Sequence, residues 1–139
     1  TFKSYDIEVV EFIKDGFEDH VIDKLRKVLI EKLGNEHLNF FNNLQLTFYV
    51  AQYLFVHGGI NPKKNLTDQS KQDYLWARSD DFFHKDFKAE KIIVHGHTPE
   101  KNVVNFPYRI NIDTGCYFSG KLSCVCLNDL NEERHFINT

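Results

Sequence analysis

The sequence has 139 residues, a length that fits one domain with its own hydrophobic core. Hydrophobic residues make up 42% and charged residues 27%, which excludes a chain that is disordered throughout. Its 17 basic and 20 acidic residues give a net charge of −3, and the basic residues are scattered, which argues against a nucleic-acid partner. We therefore predict a single domain over residues 1–139.

Apolar runs in this sequence are too short for a membrane-spanning helix, and the N-terminus lacks a signal-peptide pattern. These features predict a cytoplasmic protein with no membrane partner. The three cysteines, Cys116, Cys124 and Cys126, form no Cys-x-x-Cys pair, so neither a disulfide framework nor a thiolate zinc site is indicated. We expect them to be reduced and buried.

Two helices are predicted near the N-terminus. Residues 17–33 carry apolar side chains at helical spacing, acidic residues come first and basic residues follow, and Gly34 ends the helix. A second, shorter helix over residues 36–43 is expected to bury Leu38, Phe41 and Leu44.

From Leu44 the apolar period changes to that of β-strands. Residues 46–50 and 53–56 predict a hairpin, and a short helix is expected over residues 72–79. Four further short strands are predicted at residues 91–94, 103–104, 109–112 and 121–127, and another at 135–137. The chain therefore reads as one α/β unit whose second half is mostly sheet.

Two of these strands end in the same way, with an apolar run, a histidine and a glycine. The first ends at His57-Gly58 and the second at His95-Gly96-His97. Functional groups cluster where the strands of an α/β sheet end, and imidazole is a suitable ligand for Zn, Mn or Fe. A glycine beside the histidine would let the backbone approach an ion or a phosphate closely. On pattern alone, a metal-binding role and a structural, hydrogen-bonded role stay equally open.

The remaining histidines and the Trp76-Ala77-Arg78 element carry weaker signals. The other four histidines lack a strand-end setting and are expected on the surface: His20, His37, His84 and His135. Trp76 is ordinarily a core residue and Arg78 ordinarily faces solvent. The functional alternative is that the Arg78 guanidinium grips a phosphate or a carboxylate in a bidentate manner.

Four segments together resemble a known family. They are, in order, residues 53–62 (YLFVHGGINP), 76–78 (WAR), 94–99 (VHGHTP) and 111–122 (NIDTGCYFSGKL). Their order and spacing are similar to those of calcineurin-like metallophosphoesterases, in particular the bacterial and phage serine/threonine protein phosphatases. The resemblance covers about residues 44–128, and the helical residues 17–43 fit the segment that precedes the motifs.

The resemblance implies a fold, an activity and a set of site residues. The fold would be a four-layer αββα sandwich, of which this chain forms the C-terminal half, with helices followed by a mostly antiparallel or mixed sheet. The activity would be two-metal hydrolysis of a phosphoprotein or another phosphomonoester, with Mn, Fe or Zn as the metal. His57 and His97 would ligate metal, His95 is a further candidate ligand, Arg78 would bind phosphate oxygens and Asp113 would orient its neighbours.

The sequence also departs from that family. The Asp-x-His, Gly-Asp-x-x-Asp-Arg-Gly and Asn-His-Glu segments of the family's first half do not occur in it. We therefore expect weak metal binding, no activity by this chain alone, self-association, and completion by a separate N-terminal half. The alternatives are a bis(5'-nucleosyl)-tetraphosphatase-type hydrolase and a nonenzymatic fragment or binding module.

Overall fold

The computed structural model describes residues 2–14, 16–77, 79–128 and 133–139. It has the mixed α/β architecture that the sequence predicts, and it divides into two compact units, residues 1–44 and residues 45–139. Among the helices of the described ranges, none has the length and apolar character needed to cross a bilayer.

The first unit is helical. It contains a 3-10 turn, Phe2–Tyr5, and two helices, α1 (Val9–Ile13) and α2 (Asp19–Asn42). Gly34 interrupts α2 with φ 67° and ψ 172°, so the predicted break at this glycine is confirmed. Val21 and Leu25 are buried, as expected from their spacing.

The expected burial after Gly34 is largely wrong. Phe41 is 52% exposed and Leu44 58% exposed, and only Leu38 is half-buried. Because Gly34 leaves the helical conformation, the apolar residues beyond it do not extend the buried stripe that contains Val21 and Leu25. Helical spacing predicted the element correctly but not what covers its apolar side.

The second unit contains two sheets. Its elements are β1 (Thr47–Val50), β2 (Tyr53–Val56), a 3-10 turn (Leu66–Asp68), α3 (Lys71–Trp76), α4 (Asp80–Phe83), β3 (Ile92–His95), β4 (Val104–Asn105), β5 (Arg109–Asn111), α5 (Cys116–Ser119), β6 (Ser123–Leu127) and β7 (Arg134–Asn138). Five strands form one sheet in the order β1-β2-β3-β5-β4, and β6 pairs with β7 in the other. The predicted hairpin and later strands are confirmed, whereas the helix expected over residues 72–79 ends at Trp76 and a separate turn begins at Asp80.

The five-stranded sheet is covered on both faces. On one face, Leu54 and Ile93 pack with Phe82 of α4 in a buried cluster. On the opposite face, Tyr53, Val94 and Ile110 form a second buried cluster. Val125 and Leu127 of β6 and Phe136 of β7 pack against that second cluster. The unit is therefore layered, with helical turns on one side of the sheet and a second sheet on the other.

The cysteines are exposed, contrary to the expectation that they are buried. On β6 the side chains alternate, so that Val125 and Leu127 turn towards the main sheet while Cys124 and Cys126 face outwards. Cys116 begins the exposed turn α5. The apolar run at residues 124–127 has no polar residues at alternate positions, so the sequence did not show which face of β6 is buried.

Parallel pairing places the ends of three strands at one edge of the sheet. β2 pairs in parallel with β3, and β3 pairs in parallel with β5, with Phe55 opposite Val94 and His95 opposite Asn111. The carboxyl ends of parallel strands share an edge, and ligands bind outside that edge in α/β folds. The two His-Gly segments therefore leave the sheet side by side.

The two glycines at these strand ends have different surroundings. The Gly58 amide donates to the Tyr74 carbonyl at 2.7 Å, and a Cβ at Gly58 would lie 2.7 Å from the Leu75 carbonyl oxygen. A Cβ at Gly96 would lie 3.5 Å from its nearest neighbour, the Cβ of Asp113. Position 58 therefore has no room for a side chain, because the backbone of α3 lies against it. The sequence pattern at the strand end did not indicate this reason for the glycine.

We predict that Gly58→Ala lowers the free energy of unfolding by about 1–3 kcal/mol, because its Cβ would meet rigid backbone. Gly96→Ala is the matched control and should change stability by less than about 1 kcal/mol, because its Cβ makes ordinary contacts. Urea unfolding followed by circular dichroism measures both. Equal losses in the two variants would contradict this account.

Candidate metal and phosphate site

The structure brings His57 and His97 into contact. His57 follows β2 and His97 follows β3, and the His57 Nε2 and the His97 Nδ1 share a hydrogen bond of 3.1 Å, the structural role that the sequence left open. The Gly96 amide donates to the His57 carbonyl at 2.9 Å, which ties the two strand ends together. His97 itself adopts φ 67°, in the left-handed region that residues other than glycine seldom occupy. Two residues 40 positions apart in the sequence therefore form one imidazole pair.

The donor set of this pair fits two ligands of one divalent ion. Two nitrogens at about 2.0–2.1 Å from a tetrahedral metal lie about 3.3 Å apart, close to the observed 3.1 Å. Within the described ranges, no group of three or more His, Cys, Asp or Glu side chains is placed to hold an ion. The pair can therefore supply two ligands, and further ligands would have to come from outside these residues.

Trp76 lies against the imidazole pair. Its ring centroid is 5.0 Å from that of His97, and the two planes are nearly perpendicular at 88°. Trp76 is 54% exposed, so the ordinary expectation of a core tryptophan is wrong here. Arg78, two residues later, lies outside the described residues, and its predicted phosphate contact stays a prediction.

His95 is buried and has protein partners on both ring nitrogens. It is 2% exposed, its Nδ1 donates to the Gly96 carbonyl at 2.9 Å, and its Nε2 accepts from Arg109 at 3.3 Å. Burial, followed by the nearby Arg109 charge, lowers the pKa of His95 to about 4. In this arrangement His95 is a neutral residue that holds the loop leading to His97, while the predicted metal contact of His95 stays untested.

Arg109 is a site residue that sequence reasoning missed. It is 4% exposed, and its guanidinium donates to His95 and to the Phe83 carbonyl. The guanidinium carbon also lies 5.2–5.7 Å from the ring centres of Phe82, Phe83 and Phe106. The available signal was an arginine in the strand predicted at residues 109–112, and it indicated a partner without identifying it.

Asp113 and Thr114 shape the loop after β5. The Asp113 carboxylate accepts the Gly115 amide at 2.9 Å, and the Asp113 amide donates to the Asn111 side chain at 2.9 Å. The Thr114 hydroxyl is 2.7 Å from the Ser123 hydroxyl, and the Ser123 hydroxyl donates to Asn138 at 2.6 Å. These bonds fix the loop to β6 and β7, and they agree with the expectation that Asp113 orients its neighbours.

A cleft of about 320 Å³ opens beside these strand ends. Its lining combines the apolar side chains of Phe55, Val94 and Ile112 with His57, Asp113 and Lys121. A cleft lined by apolar side chains and a few polar groups is the usual form of a ligand site. The edge of the sheet that holds the imidazole pair therefore also offers space for a substrate.

We predict that His95 makes the chain less stable in acid. Its pKa is about 4 in the folded state and near 6.5 in the unfolded state, so between these values the unfolded chain binds more protons. The stability contributed by neutral His95 is complete above about pH 6.5 and falls by about 3 kcal/mol as the pH drops to 4. Unfolding in urea across this range, with a chelator present, measures the effect.

His95→Gln is the matching variant, because it has no titrating group at this position. Its stability should change less between pH 6.5 and 4 than that of the original chain. An identical pH dependence in both proteins would show that His95 is not the group responsible.

Comparison with known proteins gives partial matches. The chain is 39% identical over 75 residues to a protein of Bacillus mycoides, and 36% identical over 73 residues to one of Bacillus cereus. It is 34% identical over 61 residues to a third protein, from Anoxybacillus flavithermus. All three are named asymmetrical bis(5'-nucleosyl)-tetraphosphatase PrpE.

These matches cover 44–52% of this chain and 24–26% of the relatives, so the chain spans about a quarter of their length. No family model matches the chain. The expected similarity to a phosphoester hydrolase is confirmed at this coarse level. The protein phosphatase branch stays a prediction.

Proposed function

We propose that this chain carries part of the active site of a metal-dependent hydrolase of phosphate esters or anhydrides. The observation that carries the proposal is the His57–His97 pair, held 3.1 Å apart at the carboxyl edge of parallel strands. The names of the similar proteins support the same reaction class. The layered second unit, with one sheet packed on another, is compatible with half of an αββα sandwich.

For the substrate we favour a dinucleoside polyphosphate. The support is the name shared by the three similar proteins, each a bis(5'-nucleosyl)-tetraphosphatase. A phosphoprotein substrate is the second candidate, and the order of the four motifs in residues 53–122 supports it. Both substrates present a phosphoryl group to the same edge of the sheet.

In the proposed mechanism, His57 and His97 hold a divalent ion, with Mn favoured and Fe or Zn as alternatives. When bound, such an ion polarises phosphate oxygens and lowers the pKa of a coordinated water. The chain's own groups position the substrate: Arg78 binds phosphate oxygens, and Asp113 keeps the neighbouring loop in place. His95 forms hydrogen bonds with Arg109 and with the Gly96 carbonyl, and these bonds fix the backbone that leads to His97.

The first prediction concerns metal affinity. Two imidazole ligands without a third give weak binding, so we expect Mn²⁺ to bind with a dissociation constant well above the micromolar range. His57→Ala and His97→Ala should each abolish the measurable signal, whereas His84→Ala, which changes an exposed histidine, should not. Isothermal titration calorimetry measures this, and tight stoichiometric binding to the 139-residue chain would refute it.

The second prediction concerns activity. Because the bridging carboxylate motif is absent from this sequence, the chain alone should release no product from diadenosine tetraphosphate or p-nitrophenyl phosphate with Mn²⁺. Activity should appear when a chain with the Asp-x-His and Asn-His-Glu motifs is added. In that mixture, Arg78→Ala should reduce turnover, and each histidine variant should reduce it more.

The same mixture separates the two substrates. Faster hydrolysis of diadenosine tetraphosphate than of a phosphoserine peptide would support the favoured substrate, and the reverse order would support the second candidate. Turnover by the chain alone that His97→Ala abolishes would overturn the view that its metal site is incomplete.

A further inference from the structure

A second cleft lies beside α3, separate from the cleft at the strand ends. Its volume is about 310 Å³, and its lining includes Ile60, Asn61, Gln72, Asp73 and Trp76. The lining combines one large aromatic ring with side-chain amides.

Trp76 and Gln72 occupy one face of α3. They are four positions apart, a spacing that places two side chains next to each other on a helix. Both are exposed, and the Gln72 side chain makes no hydrogen bond to the other described residues. An accessible indole beside an uncommitted amide offers a stacking surface together with one donor and one acceptor.

One of the described residues that line the cleft is charged. In the described lining, Asp73 is the charged side chain, and it is negative. Its carboxylate is already engaged, by Lys64 at 2.6 Å and by the Ser70 amide at 2.7 Å. Because this carboxylate is engaged, the described lining offers a ligand mainly the Trp76 ring and side-chain amides.

The cleft adjoins the imidazole pair through Trp76. The same indole that lines the cleft lies nearly perpendicular to the His97 ring, with 5.0 Å between ring centroids. A flat group stacked on Trp76 is therefore next to the edge of the sheet where phosphate is proposed to bind. This neighbourhood matches a ligand that joins an aromatic base to a phosphate chain.

We propose that Trp76 and Gln72 form a binding site for a purine base, with adenine as the preferred ligand. The indole stacks on the base, and the Gln72 amide pairs with an amino group and the adjacent ring nitrogen, as amide side chains do with adenine. The proposal rests on the proposed function in so far as the base belongs to a nucleotide substrate. The base site itself needs no metal and no hydrolysis.

Trp76 is the chain's single tryptophan, so its fluorescence reports directly on stacking. Titration of the full chain with adenosine, which carries no phosphate, should quench this fluorescence in a saturable manner, and ribose 5-phosphate should not. Adenosine that leaves the fluorescence unchanged at millimolar concentration would overturn the proposal, as would equal quenching by ribose 5-phosphate.

Variants of the two residues test the stacking and the pairing separately. By ligand-observed NMR, Trp76→Ala should weaken adenosine binding about tenfold, and Trp76→Phe, which keeps an aromatic ring, should weaken it less. Adenosine should bind about threefold to tenfold more tightly than purine riboside, which lacks the amino group, and Gln72→Ala should remove this difference. A preference that persists in Gln72→Ala would refute the pairing.

Tyr117 provides the control, because it is an aromatic residue with 87% exposure outside this cleft. Tyr117→Ala should leave adenosine binding unchanged, and loss of binding in that variant would assign the base to a different surface.

The base site and the proposed function can fail separately. If the chain binds adenosine but hydrolyses nothing in the completed mixture, the proposed function is refuted and the base site stands. If the mixture hydrolyses substrate but the chain does not bind adenosine, the base site is refuted and the proposed function stands.

Discussion

The parallel pairing of β2 with β3 is the constraint on which the site depends. It places His57 and His97 at one edge of the sheet, although 40 positions separate them in the sequence. The Gly96 amide then bonds the His57 carbonyl, so the two strand ends behave as one rigid support. Without this pairing the two imidazoles would belong to unrelated loops, and neither the proposed metal contact nor the contact with Trp76 would exist.

The sequence predicted the elements of the second unit well because hydrophobic period and glycine placement are local signals. The hairpin at residues 47–56 is an example, and the break at Gly34 in the first unit has the same origin. What it did not predict depends on packing between distant segments. The buried Arg109 contacts His95 across two strands and Phe83 from a helical turn, and the outward side of β6 leaves Cys124 and Cys126 exposed. Neither outcome follows from the neighbours of these residues in the sequence.

The two clefts differ in the side chains that line them. Titratable side chains of both signs line the cleft at the strand ends, namely His57, Asp113 and Lys121. The cleft beside α3 has amides and an indole, which suit a neutral base. A phosphoprotein substrate would use the first cleft and leave the second without a role.

Arg109 holds His95 through contacts that lie in the protein interior. Its guanidinium lies among aromatic rings and a backbone carbonyl, and within the described residues it forms no salt bridge to a carboxylate. Dissolved ions screen exposed charge pairs far more than contacts in the interior. The contact of Arg109 with His95 therefore changes little in strength with ionic strength, unlike a contact built from surface ion pairs. A salt concentration that screens the proposed phosphate contacts would therefore leave the contact between Arg109 and His95 intact.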